Sequence, residues 1–167
     1  AATPGVTKAF PFDTRNASAA GVQLIVAVTD DFARQDYSAV YSGREPRHDN
    51  EIAIGGRLAD RIGRGIGDTI SIEVGGAKQD YVVTGLLSTV MYMGMKADLT
   101  TAGYRRLIPA YQPNYLNVYL APGTTVAQFR AALPAAVSPA AMAQVDAVND
   151  SVEFLTASTC AIAAGDT

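Results

Sequence analysis

The chain has 167 residues, a formal net charge of -3, a pI near 5.0 and a single cysteine. A chain of this length can bury a substantial core and is expected to form one domain, residues 1–167, or two small lobes. The acidic balance gives no reason to expect nucleic acid or an anionic membrane surface as a partner, because both attract basic proteins. One cysteine excludes an internal disulfide and a cysteine-rich metal site.

The first part of the chain combines polar segments with one strongly apolar run. Residues 1–20 are polar with prolines and alanines, and we expect a loose lead-in there. The continuous apolar run from Val22 to Val28 is typical of a buried strand. Thr29 is a candidate N-cap for a short helix over residues 30–37. A turn-rich loop is predicted for residues 42–50.

Residues 50–88 carry the clearest pattern of the chain: a short strand, an amphipathic helix, a glycine turn and a β-hairpin. Ile52 and Ile54 alternate with other residue types, as in a strand. The helix that follows has an apolar face and a charged face. The apolar face carries Leu58, Ala59 and Ile62, and the charged face carries Arg57, Asp60, Arg61 and Arg64. We interpret the arginines as solvated, with an anionic partner as the alternative.

The hairpin is predicted from alternation on both sides of a two-glycine turn. Ile72 is expected to face the core and Glu73 to face solvent, because side chains alternate along a strand. Gly75-Gly76 fits a two-residue turn. The returning strand, residues 79–87, is rich in β-branched side chains.

The segment 89–99 contains three methionines at alternate positions. One interpretation is a strand whose methionines face the core. The other is an exposed apolar loop that contacts a partner, since methionine surfaces adapt to varied apolar partners. In the second interpretation, tyrosines farther along the chain add aromatic side chains to the contact surface. The partner-binding residues that it proposes are Met91, Tyr92, Met93, Met95, Tyr111 and Tyr115.

Two more helices are predicted after threonine caps. Thr100 or Thr101 begins a helix that reaches about Ile108, and Thr124 or Thr125 begins one that runs through Leu133. Residues 115–120 alternate and predict a strand, and residues 144–148 predict a further strand or a turn. Together these elements predict an α+β fold, a split βαβ-type sandwich plus a small helix-and-hairpin lobe.

Residues suited to catalysis are few and isolated. His48 and Cys160 are the only histidine and cysteine, and neither has the flanking pattern of a nucleophile or a metal site. Gly63, Gly65 and Gly67 precede a predicted strand, whereas a phosphate-binding glycine motif precedes a helix. We therefore predict no enzymatic activity, no metal and no cofactor.

No transmembrane helix is predicted. The apolar charge-free runs of residues 81–95 and 131–145 fall short of the roughly 20 residues that a spanning helix needs. The start of the chain also lacks the basic and apolar regions of a signal peptide.

Residues 41–88 resemble a segment of the extracytoplasmic domains of ABC transporter permeases of the macrolide-exporter and lipoprotein-releasing type. The matching features are, in chain order, Gly43-Arg44 with Pro46, Asn50-Glu51 at the start of a strand, Leu58-Ala59 in the helix, Gly67-Asp68-Thr69, and Val83 with Gly85. In that family the domain lies between the first two transmembrane helices, so the resemblance implies that both ends of this chain point at a membrane.

The same resemblance implies a location, a set of partners and one structural role. The domain is expected in the periplasm or at the outer cell surface, anchored to the cytoplasmic membrane. Its expected partners are its own transmembrane helices, a second permease subunit, a separate cytoplasmic ATPase, and a cargo or partner protein to which it relays helix motion. Glu51 is expected to be structural, with its carboxylate tying the strand to a neighbouring loop.

Two alternatives stay open at this point. The string LADRIGRGIGDTISIEV, residues 58–74, is also similar to a pattern of the cofactor-binding β-barrel modules of molybdopterin oxidoreductases. The other alternative is a secreted binding domain for an unidentified ligand. In the oxidoreductase alternative, the parent protein is expected to carry a large catalytic domain upstream and no membrane spans.

Overall fold

The computed structural model describes residues 5–32, 38–132, 146–148 and 151–154. The elements within them are, in chain order, β1 (Val6–Ala19), β2 (Val22–Thr29), β3 (Ser38–Gly43), β4 (Glu51–Gly55), α1 (Gly56–Ile62), β5 (Thr69–Val74), β6 (Ala77–Thr89), a single 3-10 turn (Met91–Gly94), β7 (Lys96–Leu99), α2 (Thr101–Leu107), β8 (Tyr115–Leu120), α3 (Val126–Ala132), β9 (Asp146–Val148) and β10 (Ser151–Phe154). The chain forms two compact units. The central unit is residues 14–111, and the terminal unit is residues 1–13 with 112–167.

The central unit is a mixed sheet in the strand order β2-β7-β4-β6-β5-β1. The ladder closes on itself, because β1 also pairs with β2. The pairs β2–β7 and β4–β6 are parallel, whereas β4–β7, β5–β6 and β3–β6 are antiparallel. This mixed sheet with few helices confirms the α+β class.

The strand, helix and hairpin predicted for residues 50–88 are confirmed. Leu58 and Ala59 are buried on one side of α1, and the helix ends at Gly63. The hairpin turn lies at Gly75 and Gly76, whose φ angles of 55° and 87° are accessible to glycine at little cost. Ile72 is fully buried and Glu73 is exposed, so the predicted register is correct.

The loose lead-in expected for residues 1–20 is wrong where the structure describes it. Residues 6–19 form β1, the longest strand among the described elements. Phe10, Asp13 and Ala17 are buried along it. This strand mixes polar and apolar residues without a strict alternation and contains Pro11, so local propensity does not reveal it. Its pairing with β8 and β5, which are distant in sequence, is what fixes it.

The helix expected over residues 30–37 lies partly outside the described residues. Thr29, its proposed N-cap, is instead the buried last residue of β2. Asp30 and Asp31 are not helical. The Asp30 carboxylate accepts the backbone N–H of Thr101 at 2.8 Å, which satisfies an orphan donor at the start of α2.

The later helices and strands follow the threonine-cap predictions. Thr100 caps α2, and its hydroxyl accepts the N–H of Gly103 at 2.9 Å. Thr125 caps α3, and its hydroxyl accepts the N–H of Gln128 at 3.2 Å. The strand predicted for residues 115–120 is β8.

The terminal unit is built on β8, which pairs with the first part of β1 and with β10. Its small core consists of Leu116, Val118 and Phe129. Tyr119 stacks on Phe10 with a ring separation of 5.5 Å. The separate, larger core of the central unit packs the inward faces of its strands against α1 and α2.

Candidate functional site: the methionine turn

Within the predicted segment 89–99, residues 90–95 carry the three methionines, lie between β6 and β7 and are not a strand, whereas residues 96–99 form β7. We call residues 90–95 the methionine turn, since Met91–Gly94 form its 3-10 turn. Val90 and Met93 are 81% and 73% exposed, and Met91 and Tyr92 are also exposed. Of the seven large apolar residues exposed in the described part of the chain, four are these consecutive ones. The interpretation as a strand is therefore wrong, and residues 90–93 of the turn present their side chains to solvent.

The backbone of the methionine turn is strained. Tyr92 and Met93 have φ angles of 51°, in the left-handed region that non-glycine residues avoid. Among the described residues, only one other non-glycine residue, Ala20, has a positive φ. Each such residue costs on the order of 1–2 kcal/mol. Strain of this kind persists only where the surrounding structure fixes it, and it concentrates at functional positions.

The surrounding contacts show how the turn is held. The N–H of Met95 donates to the carbonyl of Tyr92 at 2.9 Å, and the N–H of Ile25 in β2 donates to the carbonyl of Met95 at 3.0 Å. Arg57 in α1 donates from Nη1 to the carbonyl of Met93 at 3.4 Å. Met95 itself is half-buried against the core of the central unit. The turn is thus tied to a helix and a strand while its tip stays exposed.

The methionine turn packs closely against Gly55, the residue just before α1. A Cβ added to Gly55 would collide with the carbonyl oxygen of Gly94. Only glycine at position 55 therefore permits the turn to lie this close.

Tyr41 is a neighbouring surface residue that the sequence did not reveal. It is 59% exposed and lies at an irregularity of the β3–β6 pairing. The Tyr41 hydroxyl lies against Gly56, so close that a Cβ added to this glycine would be only 2.6 Å from it. The phenol therefore covers the first residue of α1. The methionine turn packs on Gly55 and Tyr41 packs on Gly56, which places both on the same end of the helix. We name Tyr41, Arg57 and residues 90–93 the docking surface.

Two of the sequence-predicted partner residues, Met95 and Tyr111, are not presented on this surface. Met95 is packed against the core rather than presented. Tyr111 is buried and makes an edge-to-face contact with Tyr104 at a ring separation of 4.7 Å, so its place on an exposed surface is wrong. Aromatic rings supply large core contacts as readily as surface contacts, and composition alone does not distinguish the two. Tyr115 begins β8, in register with Phe12 in the terminal unit.

The charged face of α1 adjoins the docking surface. Arg57 and Arg61 are exposed and four residues apart, so they lie on one face of the helix. Arg64 is exposed just beyond the helix end.

The expectation that Glu51 ties β4 to a neighbouring loop is confirmed. The Glu51 carboxylate accepts two N–H groups from the Arg44 guanidinium and the backbone N–H groups of Arg47 and His48. The hydrogen bond from Arg44 is the main reason that the pKa of Glu51 is lowered to about 2, and the two backbone donors lower it further. His48 is exposed in this loop.

Side chains suited to catalysis are sparse in the described part of the chain. An acidic pocket lined in part by Asp31, Glu45 and Asp49 lies beside the loop that Glu51 holds. Within the described ranges, no group of three or more His, Cys, Asp or Glu side chains is placed to hold a metal. Cys160 lies outside those ranges.

A comparison with protein-family models assigns the chain to one family. The family model for the MacB-like periplasmic core domain matches residues 1–136. A comparison with curated protein sequences gave no match. These findings lend no support to the molybdopterin-type alternative.

Solved structures show the same fold at low identity. The extracellular domain of the noncanonic ABC-type transporter YknZ from Gram-positive bacteria has a TM-score of 0.58 and 14% identity, over 78% of this chain and 72% of that chain. The periplasmic region of MacB from Actinobacillus actinomycetemcomitans has a TM-score of 0.56 and 8% identity, over 93% and 74%. A domain of a putative permease protein from Porphyromonas gingivalis has a TM-score of 0.52 and 15% identity, over 78% and 62%.

None of the described helices is long and apolar enough to span a bilayer. The family model covers most of the chain, and the fold is that of permease domains that lie outside the membrane. The chain therefore belongs to the MacB-like periplasmic core domain family, as an extracytoplasmic domain of a membrane-anchored ABC transporter permease.

Proposed function

We propose that this domain relays movement of the permease's transmembrane helices to a partner protein outside the membrane, and that the docking surface makes the contact. The observation that carries the proposal is the strained turn that exposes Val90, Met91, Tyr92 and Met93 together. Contiguous exposed apolar side chains on a folded domain mark interaction sites.

A surface that transmits movement must be joined firmly to the rest of its domain. The methionine turn continues directly into β7, whose four residues are all buried. β7 lies between β2 and β4 in the sheet. Displacement of the turn would therefore act on the sheet itself rather than on a loose loop, which is the mechanical property that a relay requires.

The chemistry of the docking surface defines the kind of partner. Its centre is apolar and its border carries the exposed Arg57, with Arg61 farther along the same helix face. A matching protein surface would insert apolar side chains over residues 90–93 and place carboxylates at its rim, because charge complementarity guides association. The other partners that permease membership brings are its own transmembrane helices, a second permease subunit and a separate cytoplasmic ATPase. We assign ATP hydrolysis to that ATPase and no catalysis to this domain.

The test removes apolar character from the docking surface without disturbing the fold. Val90→Ser and Met93→Asn are combined in the full permease. Asparagine tolerates the left-handed conformation of residue 93 better than methionine does, so the variant should be at least as stable as the parent. Met95 is left intact because it packs against the core. Transport is read out by complementation of a strain that lacks the permease, and folding by thermal unfolding of the purified 167-residue chain.

The matched control is Ile66→Ser, which removes another exposed apolar side chain that is not one of the docking-surface residues; Ile66 is 47% exposed. We expect the double variant to unfold normally and to lose complementation, and the control to retain both. Normal complementation by the double variant would overturn the proposal, as would equal losses in the control.

A further inference from the structure

We infer that the methionine turn is also an oxidation-sensitive site, at which hypochlorous acid or hydrogen peroxide outside the membrane converts Met93, and then Met91, to the sulfoxide. The consequence is a docking surface that loses its apolar character and weakens its contact with the partner. This consequence rests on the proposed function, whereas the selective oxidation follows from the geometry alone.

The geometry separates the three methionines of the turn by accessibility. Met93 is 73% exposed and Met91 is 36% exposed, whereas Met95 is half-buried against the core of the central unit. The left-handed backbone at residues 92 and 93 holds the tip of the turn away from the core. Methionine oxidation requires contact between the oxidant and the thioether sulfur, so its rate follows exposure. The expected order is Met93, then Met91, then Met95.

The chemical step balances with the oxidant as the only co-reactant. The thioether sulfur donates an electron pair to the oxygen of hypochlorous acid, so an S–O bond forms and the O–Cl bond breaks. Chloride leaves with the bonding electrons, and the proton of the acid passes to water. The sulfur is oxidised by two electrons and the hypochlorous acid is reduced to chloride. With hydrogen peroxide the O–O bond breaks instead, and water is the product of reduction.

The product changes what the surface can bind. A sulfoxide is polar and accepts hydrogen bonds, whereas a thioether is apolar and adaptable. An interface that buries this oxygen against apolar side chains leaves it without a hydrogen bond, which opposes association. Because sulfoxides are reduced enzymatically, the change is reversible.

The chemical arm of the test uses the purified chain. It is treated with limiting hypochlorous acid, and the fraction of each methionine oxidised over time is measured by peptide mass spectrometry. We expect Met93 to react several-fold faster than Met95, with Met91 between them, and methionine sulfoxide reductases to reverse the change. Oxidation of Met95 at the rate of Met93 or faster would overturn the inference.

The functional arm compares the wild-type permease with a Met91→Leu/Met93→Leu permease, which keeps apolar volume but has no oxidisable sulfur at these positions. Each strain is given a brief hypochlorous acid pulse, and its complementation is expressed relative to its own untreated value. We expect a several-fold larger loss in the wild type. Equal relative losses would overturn the inference.

The two proposals fail in distinguishable ways. If the Val90→Ser/Met93→Asn permease complements normally without oxidant, the proposed function fails. If that variant is inactive but the wild type and the leucine variant respond alike to the pulse, the oxidation inference alone fails.

Discussion

Arg44 and Glu51 form a bidentate salt bridge, in which Arg44 Nη1 donates to Glu51 Oε2 at 2.7 Å and Arg44 Nη2 donates to Glu51 Oε1 at 2.6 Å. The backbone N–H groups of Arg47 and His48 donate to the same carboxylate at 2.8 and 3.2 Å. One side chain at the start of β4 therefore closes the loop of residues 44–50 onto the sheet.

This ion pair predicts a specific loss of stability in acid. The pKa of Glu51 is about 2 in the folded chain, against an ordinary value of 4.5. Because the folded value is the lower one, the stabilisation is fully present above about pH 4.5 and is lost as the pH falls towards about 2. Its size should be on the order of 1–3 kcal/mol, since Arg44 is partly exposed and solvent screens the pair.

The measurement is urea unfolding of the wild type and Glu51→Gln from neutral pH downwards. The stability difference should shrink across that acid window. Glu73→Gln is the control, because Glu73 pairs with Lys78 at 3.0 Å on the open surface. A difference for Glu51→Gln that stays constant down to about pH 2 would contradict the prediction.

The hairpin predicts unequal effects of two adjacent substitutions. Ile72→Ala should cost about 2–5 kcal/mol, because it removes a fully buried side chain from the core. Glu73→Ala should cost less than about 0.5 kcal/mol, because its partner Lys78 is exposed. Thermal unfolding of both variants checks this, and equal losses would mean that the two side chains share an environment.

The hairpin and the threonine-capped helices are parts of the fold that the sequence predicts well. The elements of residues 50–88 and the threonine-capped helices are specified by neighbours along the chain: alternation around Gly75-Gly76, and the caps at Thr100 and Thr125. Hydrophobic periodicity and helix capping involve only a few neighbouring residues, so these elements can be predicted without knowledge of the tertiary fold.

The features that sequence reasoning missed are set by distant contacts. β1 has a mixed composition with a proline, and its pairing with β8 and β5 is what makes it a strand. The alternation of the three methionines is typical of a strand, but Tyr92 and Met93 adopt left-handed backbone conformations and the segment forms a turn. Tyr41 and Tyr111 are both tyrosines, yet one covers a helix end and the other fills the core. Only tertiary packing distinguishes such pairs.

A buried ion pair in β7 predicts strong energetic coupling. Lys96 Nζ lies 2.9 Å from Asp98 Oδ1, and both side chains are buried. Lys96→Met removes the buried cation that faces Asp98 and should cost about 3–5 kcal/mol. Lys96→Met combined with Asp98→Leu should cost clearly less than the sum of the two single changes. A double-mutant cycle by urea unfolding measures the coupling, and additive costs would show that the two charges do not interact.

The absence of catalysis is itself a prediction. The purified chain should hydrolyse no ATP and should bind no stoichiometric metal, because His48 is exposed in a loop and no metal-binding cluster lies in the described part of the chain. Phosphate release and elemental analysis test these points. A turnover above that of a heat-denatured sample, or one metal per chain, would assign the domain an activity of its own.

The strand β1 has a consequence for how the domain comes to be folded. In the terminal unit, the backbone N–H of Asn114 donates to the Asp13 carboxylate at 3.1 Å across 101 residues of chain. Local hairpins such as β5–β6 close quickly, whereas contacts this far apart form slowly because a long loop must be closed first. In a chain that crosses a membrane from its N-terminal end, the N-terminal part of β1 would emerge about 100 residues before β8. For that interval the strand is unpaired, and Lys8 and Pro11 disfavour its pairing with another chain.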